Sequence, residues 1–425
     1  MTGGPLYLGL DLGTSGCRLC VADPTGRPLA RFEHPWQAGL AADPAAWWAA
    51  VRGLLARCTK ELAGGDFQAL AVDGTSTTLL LCRADGEPLG PVLMYHDDRA
   101  RLEAARIREL APADAPVHGP GASLAKLLWL QGLPEARQAA HALHQADWIT
   151  GCLLGRFGDS DENNCLKLGY DPVRHCWPPW LQALDVQPRL LPRVHPAGTP
   201  LGPLDAGLAR ELGLPLTLQV MAGTTDGVAA FLASGAARDE AVTSLGSTLI
   251  LKIRAEKPVN DVRYGVYSHP LGDHWLAGGA SNCGGAVLRQ HFSDEELARM
   301  TPLLRPDEPT GLDYYPLPRP GERFPVSDPD LAPRLTPRPA DPVRFFQGIL
   351  EGIAAVEARG YRLLAELGAP YPRRVLTVGG GAANPAWTRI RARALGVPVS
   401  PAPCQEAACG AARLAGAGEH TEARP

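Results

Sequence analysis

A chain of 425 residues is long enough for two domains rather than one. Apolar residues make up 45% and charged residues 20%, proportions that supply a sizeable core and exclude a disordered chain. The net charge of -4 offers no basic surface to nucleic acid or an anionic membrane, and no uncharged apolar run reaches the ~18 residues of a membrane span.

The N-terminus lacks the basic-then-apolar order of a secretory signal. Ten cysteines are scattered along the chain, and the only CxxC, Cys17 and Cys20, falls in an expected strand. Residues three apart on a strand face opposite ways, so a metal or redox pair there is disfavoured. The cysteines read as small buried residues of a reducing, cytoplasmic compartment. The 11 histidines form no ligand spacing on one helix.

Taken in order, residues 6–10 form an apolar strand ending at Asp11. A turn with Gly13, Thr14, Ser15 and Gly16 leads into a second strand, 17–22, so the opening is a hairpin. Glycine in that turn permits positive φ and close approach of backbone N–H groups to an anion, and the hydroxyls add donors. Asp11 beside it is placed to hold a divalent cation; an ordinary turn aspartate is the plain alternative. A third strand, 27–34, completes a meander. Asp43 then caps a helix with Pro44 at its first position and Trp47, Trp48, Val51, Leu54, Leu55, Cys58 and Leu62 on one face.

A buried strand, 67–72, ends in Asp73 and runs into Thr75, Ser76, Thr77 and Thr78. Another apolar run ends in His96, Asp97, Asp98 and Arg99. Clustered hydroxyls and charges at strand ends suit a polyol, which offers many hydroxyls to pair; a solvated loop is the alternative. Residues 123–130 form an apolar helix, with a further helix at 147–155. The Pro-rich stretch 171–215 reads as irregular.

Residues 220–235 run from a strand through Gly223 to Asp226 at the start of a small-residue helix. A simple N-cap is the plain reading of that aspartate. Residues 240–253 repeat the opening design, a strand, a Gly246–Ser247–Thr248 turn and a strand, which points to internal duplication. Residues 299–342 form a long Pro-rich loop and 344–368 an amphipathic helix. Residues 376–396 then read strand, Gly379–Gly380–Gly381, helix, and 406–416 form a closing helix of small residues. The triple glycine is not a dinucleotide fingerprint, because its sixth position is Asn384, and no P-loop motif is present.

These motifs, in this order, resemble the FGGY carbohydrate kinases of the sugar kinase/actin/Hsp70 superfamily. The resemblance rests on LGLDLGTSG (8–16), YHDDRA (95–100), SLAKLLWL (123–130), AGTTDGVAAFLASG (222–235), LGST (245–248), GERFP (321–325) and GGGAANPAW (379–387). It implies an α/β fold of two RNase H-like, actin-like ATPase domains flanking a deep cleft. Residues 1–236 would be the sugar-binding and catalytic domain and 237–425 the nucleotide-binding domain, with the boundary near 236–240.

The same resemblance implies ATP and Mg2+, a small sugar as partner, no nucleic acid or membrane, and a monomer or homodimer. Asp226 would be the general base for the attacking hydroxyl. Asp11 would serve the cation, with Thr14 beside it in the reacting centre. Gly13, Thr14 and Ser15 would form one phosphate loop and Gly246, Ser247 and Thr248 the other. Gly379, Gly380, Gly381, Asn384 and Trp387 would hold the adenosine, Trp387 being equally a candidate for the core. Asp11, Ser76, Asp98, Arg99 and Asp226 would face the sugar, the register leaving Asp97 as the alternative to Asp98.

Xylulokinases of this family carry G-Q-M-H-G where this chain has Gly74–Thr78, GTSTT. In that segment and in its compact length the chain resembles cyanobacterial and plant kinases acting on D-ribulose. D-ribulose is therefore the expected acceptor, with D-xylulose or another ketose or polyol next. An actin-like nucleotide-binding regulator without sugar chemistry is the rival class.

Overall fold

The computed structural model describes residues 4–417, which fall into two compact units: residues 4–233 with 406–417, and Ser234–Gln405. Both are α/β, as expected. The boundary lies a few residues before the expected 236–240, and the last helix, Ala407–Ala417, joins the first unit, not the second.

In the first unit the sheet begins as the expected meander. Pro5–Leu12 pairs antiparallel with Gly16–Ala22, which pairs with Pro28–Pro35. On its other side Pro5–Leu12 runs parallel to Asp66–Gly74, followed by Gln219–Met221 and Pro200–Pro203. The two-residue strand Thr224–Thr225 also pairs with the end of Asp66–Gly74. This is the RNase H-like plan. A separate three-stranded sheet joins Pro88–Leu93, Leu79–Cys82 and His141–His144.

The period of two explains which face each residue takes. Leu6, Leu8, Leu10 and Leu12 share a core with Trp47, Val51, Leu54 and Leu55 of the Pro44–Glu61 helix. Tyr7 points the other way and packs with Leu414 and Ala415 of the last helix. Burying one such leucine contributes roughly 1.5–3 kcal/mol, so this two-sided burial holds the strand in register. Asp11 and Asp73 both occupy the Tyr7 face.

Small residues explain why the last helix packs here. A Cβ on Gly9 would sit 2.0 Å from the Ala408 carbonyl oxygen, and one on Gly410 would sit 1.8 Å from that of Ala229. These are backbone-to-backbone approaches that no side chain relieves. Gly410→Ala is expected to lower unfolding stability by about 1–3 kcal/mol or more, because backbones must separate. Gly53→Ala, in the middle of the Pro44–Glu61 helix with nothing near the new methyl, is expected to be neutral or stabilising by about 0.5–1 kcal/mol. Denaturant melts of the two variants check this; equal stability losses would contradict it.

The second unit repeats the plan. Glu240–Leu245 pairs antiparallel with Leu249–Ala255 and parallel with Arg374–Val378. His274–Ser281, Tyr267–Leu271 and Val399–Pro401 complete six strands. The Pro342–Glu366 helix buries Phe345, Phe346, Ile349, Ile353 and Leu364. Deep in this unit Arg391 makes a two-pronged bond to Glu357, at 2.6 and 2.7 Å, with both side chains fully buried. Thr377 and Thr243 satisfy their remaining atoms, the condition under which a buried pair is tolerated. The Pro-rich 299–342 segment has little regular structure, yet it buries Tyr314, Leu317 and Phe324 in this core.

Candidate active site

The first unit gathers three carboxylates where its parallel strands end. Asp11 lies opposite Asp73 in the Pro5–Leu12/Asp66–Gly74 register, and Asp73 lies opposite Thr224, two residues before Asp226. Crevices beyond the carboxyl ends of parallel strands are where α/β folds bind ligands. Arg18 donates to Asp11 at 3.3 Å. Burial raises the Asp11 carboxyl above its ordinary range, Arg18 opposing and Asp226 adding to the shift. Asp73 is fully buried, and no donor reaches either of its oxygens. Burial, then Asp11 and Asp226, raise it well above the ordinary range.

Asp11 fits a divalent cation: its hard oxygen atoms lie near the Asp226 carboxylate, whose repulsion a cation would relieve. Among the described residues no three His, Cys, Asp or Glu side chains are arranged to hold a metal. Phosphate and water oxygens would therefore supply most of a shell.

Thr14 and Ser15 are exposed in the turn between the first two strands, with Ser15 Oγ accepting from Arg18 at 3.1 Å. The role expected for glycine in this turn is corrected. Neither Gly13 nor Gly16 has positive φ. Gly16 is required because a Cβ would meet the His34 carbonyl oxygen at 2.6 Å. The Gly13 N–H donates to the Gly16 carbonyl, and its own carbonyl accepts from the Trp36 indole. Gly223 is required for the same kind of reason: a Cβ there would lie 2.1 Å from the Val72 carbonyl oxygen. That close approach brings Thr224–Thr225 onto the strand bearing Asp73 and starts the Asp226–Ser234 helix beside it. Asp226 is partly exposed, and its Oδ1 accepts from the Gly227 N–H at 2.6 Å.

The hydroxyl run 75–78 follows directly from the Asp66–Gly74 strand. Thr75 and Thr78 hydroxyls lie 2.6 Å apart, Thr75 also donates to Gln145 Oε1, and Ser76 is half-buried. Asp98 is corrected. Its side chain is 60% exposed and pairs with Arg101, whereas Asp97 is 15% exposed and takes Arg99 Nε on both oxygens at 2.9 and 3.0 Å. Those bonds, against the opposing effect of burial, leave the Asp97 carboxyl below its ordinary range.

Ser123, His144 and Asp147 form a relay with 2.8 and 3.0 Å contacts, the geometry of a hydrolytic triad. All three are buried, and Asp147 also accepts from Ser160 at 2.7 Å. With no exposed nucleophile the relay ties secondary structure together and does not argue for a hydrolase.

In the second unit Gly246 and Ser247 are exposed and Thr248 half-buried, between the paired strands of the hairpin. The Gly285 N–H donates to the Gly246 carbonyl at 2.7 Å. Gly379 has φ of 89°, and a Cβ there would lie 3.0 Å from the Leu245 carbonyl oxygen. On Gly381 a Cβ would strike the Leu245 side chain at 2.5 Å, whereas Gly380 is exposed with open space. The triple-glycine turn thus folds against the base of the hairpin turn and brings 245–248 and 379–381 together.

Asn384 spends its side-chain amide oxygen on the Trp387 N–H, capping the Pro385–Leu395 helix. Trp387 is corrected as an adenine contact. The first turn of that helix points it inward, it is buried in the unit's core, and its indole N–H donates to the Leu350 carbonyl.

Two ordering groups escaped sequence reasoning. Asp73 was visible only as a strand end, since its meaning depends on which strand lies alongside. Glu322, buried, binds Ser281 Oγ at 2.6 Å, the Asn282 N–H at 2.8 Å and Tyr315 at 3.1 Å. The GERFP motif was its signal.

Comparison with known proteins identifies the family. Residues 6–233 match the FGGY family of carbohydrate kinases, N-terminal domain, and residues 241–419 its C-terminal domain. The chain is 28% identical to an L-fuculokinase of Salmonella typhi, covering 93% of this chain and 88% of that one. It is 29% identical to a xylulose kinase of Streptomyces coelicolor, covering 93% and 84%. Among solved structures, a xylulose kinase from Brucella ovis superposes with a TM-score of 0.85 at 23% identity, over 97% of this chain and 91% of that one. A glycerol kinase from Plasmodium falciparum with ADP gives 0.83 at 16%, over 98% of this chain; its 16% identity makes it a likeness of fold. With family models matched across both units, the chain belongs to the FGGY family of carbohydrate kinases.

Proposed function

We propose that this ATP-dependent carbohydrate kinase phosphorylates a pentulose, D-ribulose first, to give D-ribulose 5-phosphate and ADP. The observation that carries the choice is the hydroxyl-lined Gly74–Thr78 turn, which has none of the Gln-Met-His of xylulokinases and sits at the strand end bearing Asp73. D-xylulose is the second reading, favoured by the 29% identity to a xylulose kinase.

In the mechanism, Asp226 accepts the proton of the sugar hydroxyl as its oxygen attacks the γ-phosphorus in line. In the first unit Thr14, Ser15 and the neighbouring N–H groups are its phosphate-steadying turn; Gly246, Ser247 and Thr248 are the second unit's own. Asp11, backed by Asp73, would hold Mg2+, which supplies charge neutralisation on the phosphates. Ser76, Asp97 and Arg99 orient the sugar. The Gly379–Gly381 turn gives the adenosine a flat backbone surface.

An ADP-coupled assay over D-ribulose, D-xylulose, L-fuculose, glycerol and alditols tests the choice. D-ribulose is expected to give the highest kcat/KM. A higher value with D-xylulose selects the second reading, and turnover confined to glycerol or alditols rejects both.

A further inference from the structure

The Ser123–Gln131 helix carries a lysine in its fully buried part. Lys126 spends its donors on two main-chain oxygens and a hydroxyl rather than on a carboxylate. Its ammonium donates to the Thr77 carbonyl at 2.9 Å, the Thr77 hydroxyl at 3.4 Å and the Met94 carbonyl at 2.7 Å. Thr77 has φ of 70°, a left-handed conformation that is costly for a β-branched residue and persists only where its surroundings hold it.

The segments so joined are the 75–78 turn and the 94–97 stretch. A second bond links them, from the Tyr95 N–H to Thr78 Oγ1 at 3.0 Å. One turn along the same helix, Trp129 lies under the Arg99 guanidinium, 5.0 Å from ring centre to Cζ, and Arg99 in turn holds Asp97. One helix therefore ties the carboxylate-bearing 94–97 stretch to the hydroxyl-bearing 75–78 turn, which follows directly on the strand that carries Asp73.

We propose that Lys126 is a positioning residue for the sugar: it clamps the 75–78 turn to the 94–97 stretch, so that their polar groups are set before the acceptor arrives. The inference rests on the proposed role of these segments in sugar binding. It also implies a pH dependence. Burial lowers the Lys126 ammonium to about 8, with Asp97 of the 94–97 stretch opposing and Lys167 adding to the shift. Below that pH the clamp is charged and its bonds are charge-assisted. Above it the neutral amine keeps fewer donors and weaker bonds.

The test measures sugar KM, nucleotide KM and kcat from pH 6.5 to 9.5 for wild type, Lys126→Met and Lys126→Arg. At neutral pH Lys126→Met is expected to raise sugar KM about tenfold or more, the scale of a lost hydrogen bond to a charged group, with nucleotide KM within about twofold. Wild-type sugar KM is expected to climb above about pH 8, and that climb to vanish in Lys126→Met. Lys126→Arg, charged throughout, is expected to restore the neutral-pH value in part and to stay flat. A folded Lys126→Met with unchanged sugar KM overturns the proposal.

If Lys126→Met does not fold, the wild-type profile decides: an alkaline rise confined to sugar KM supports the clamp, and a flat profile overturns it. If the wild type phosphorylates no sugar, the functional reading fails separately. The clamp is then read by hydrogen exchange, expected to quicken at the Thr78 and Tyr95 amides of Lys126→Met and not in Pro5–Leu12. No difference at those amides overturns it.

Discussion

Asp226→Ala is expected to lose roughly 10²–10⁴ in kcat for sugar phosphorylation while still binding ADP. Phosphoryl transfer asks little covalent chemistry of the protein, so most of the rate comes from positioning and charge neutralisation. A base still matters, because the sugar hydroxyl must lose its proton as the new bond to phosphorus forms. Asp226 opens the Asp226–Ser234 helix, immediately after the short strand paired with the end of Asp66–Gly74. It is partly exposed where Asp73 is sealed, and a proton acceptor has to be reachable. Slow hydrolysis of ATP by water survives in this variant, since water needs no sugar-side base. Steady-state assays with D-ribulose and calorimetry with ADP check both halves. Near wild-type phosphorylation by Asp226→Ala would assign the base elsewhere.

Asp11→Asn is expected to lower kcat on the order of 100-fold with little change in sugar affinity. The amide keeps the shape of the carboxylate and removes its charge, so the loss reports charge at the cation and phosphates. A readout independent of turnover is Mn2+ binding in the presence of ADP, followed by electron paramagnetic resonance, which should weaken in this variant. Unchanged Mn2+ affinity would reject Asp11 as the metal's carboxylate.

The elements legible in the sequence were those whose pattern is local. The two Gly-Ser/Thr hairpins, the strand-turn-helix at Asp226 and the amphipathic 342–366 helix each follow from periodicity and turn residues within one stretch. What failed depended on partners distant in sequence. Gly16 and Gly223 are glycines because another backbone lies against them, not because their own φ demands it. The closing helix announced close packing through its small residues, but nothing in 406–416 says that its partners are Gly9 and Ala229. Trp387 and Asp98 were ambiguous for a simpler reason. A one-residue difference in register or a quarter-turn of helix exchanges core for surface, and only the packed neighbours decide which.

The most direct measurement follows the phosphorus. Enzyme, ATP, Mg2+ and D-ribulose are combined, and the reaction is followed by 31P NMR. The expected result is a pentulose phosphate monoester resonance growing in equal amount with ADP, and absent when Asp226→Ala replaces the wild type. ADP accompanied by inorganic phosphate alone, with no sugar phosphate from D-ribulose, D-xylulose or any other ketose, would contradict a sugar kinase acting through this site.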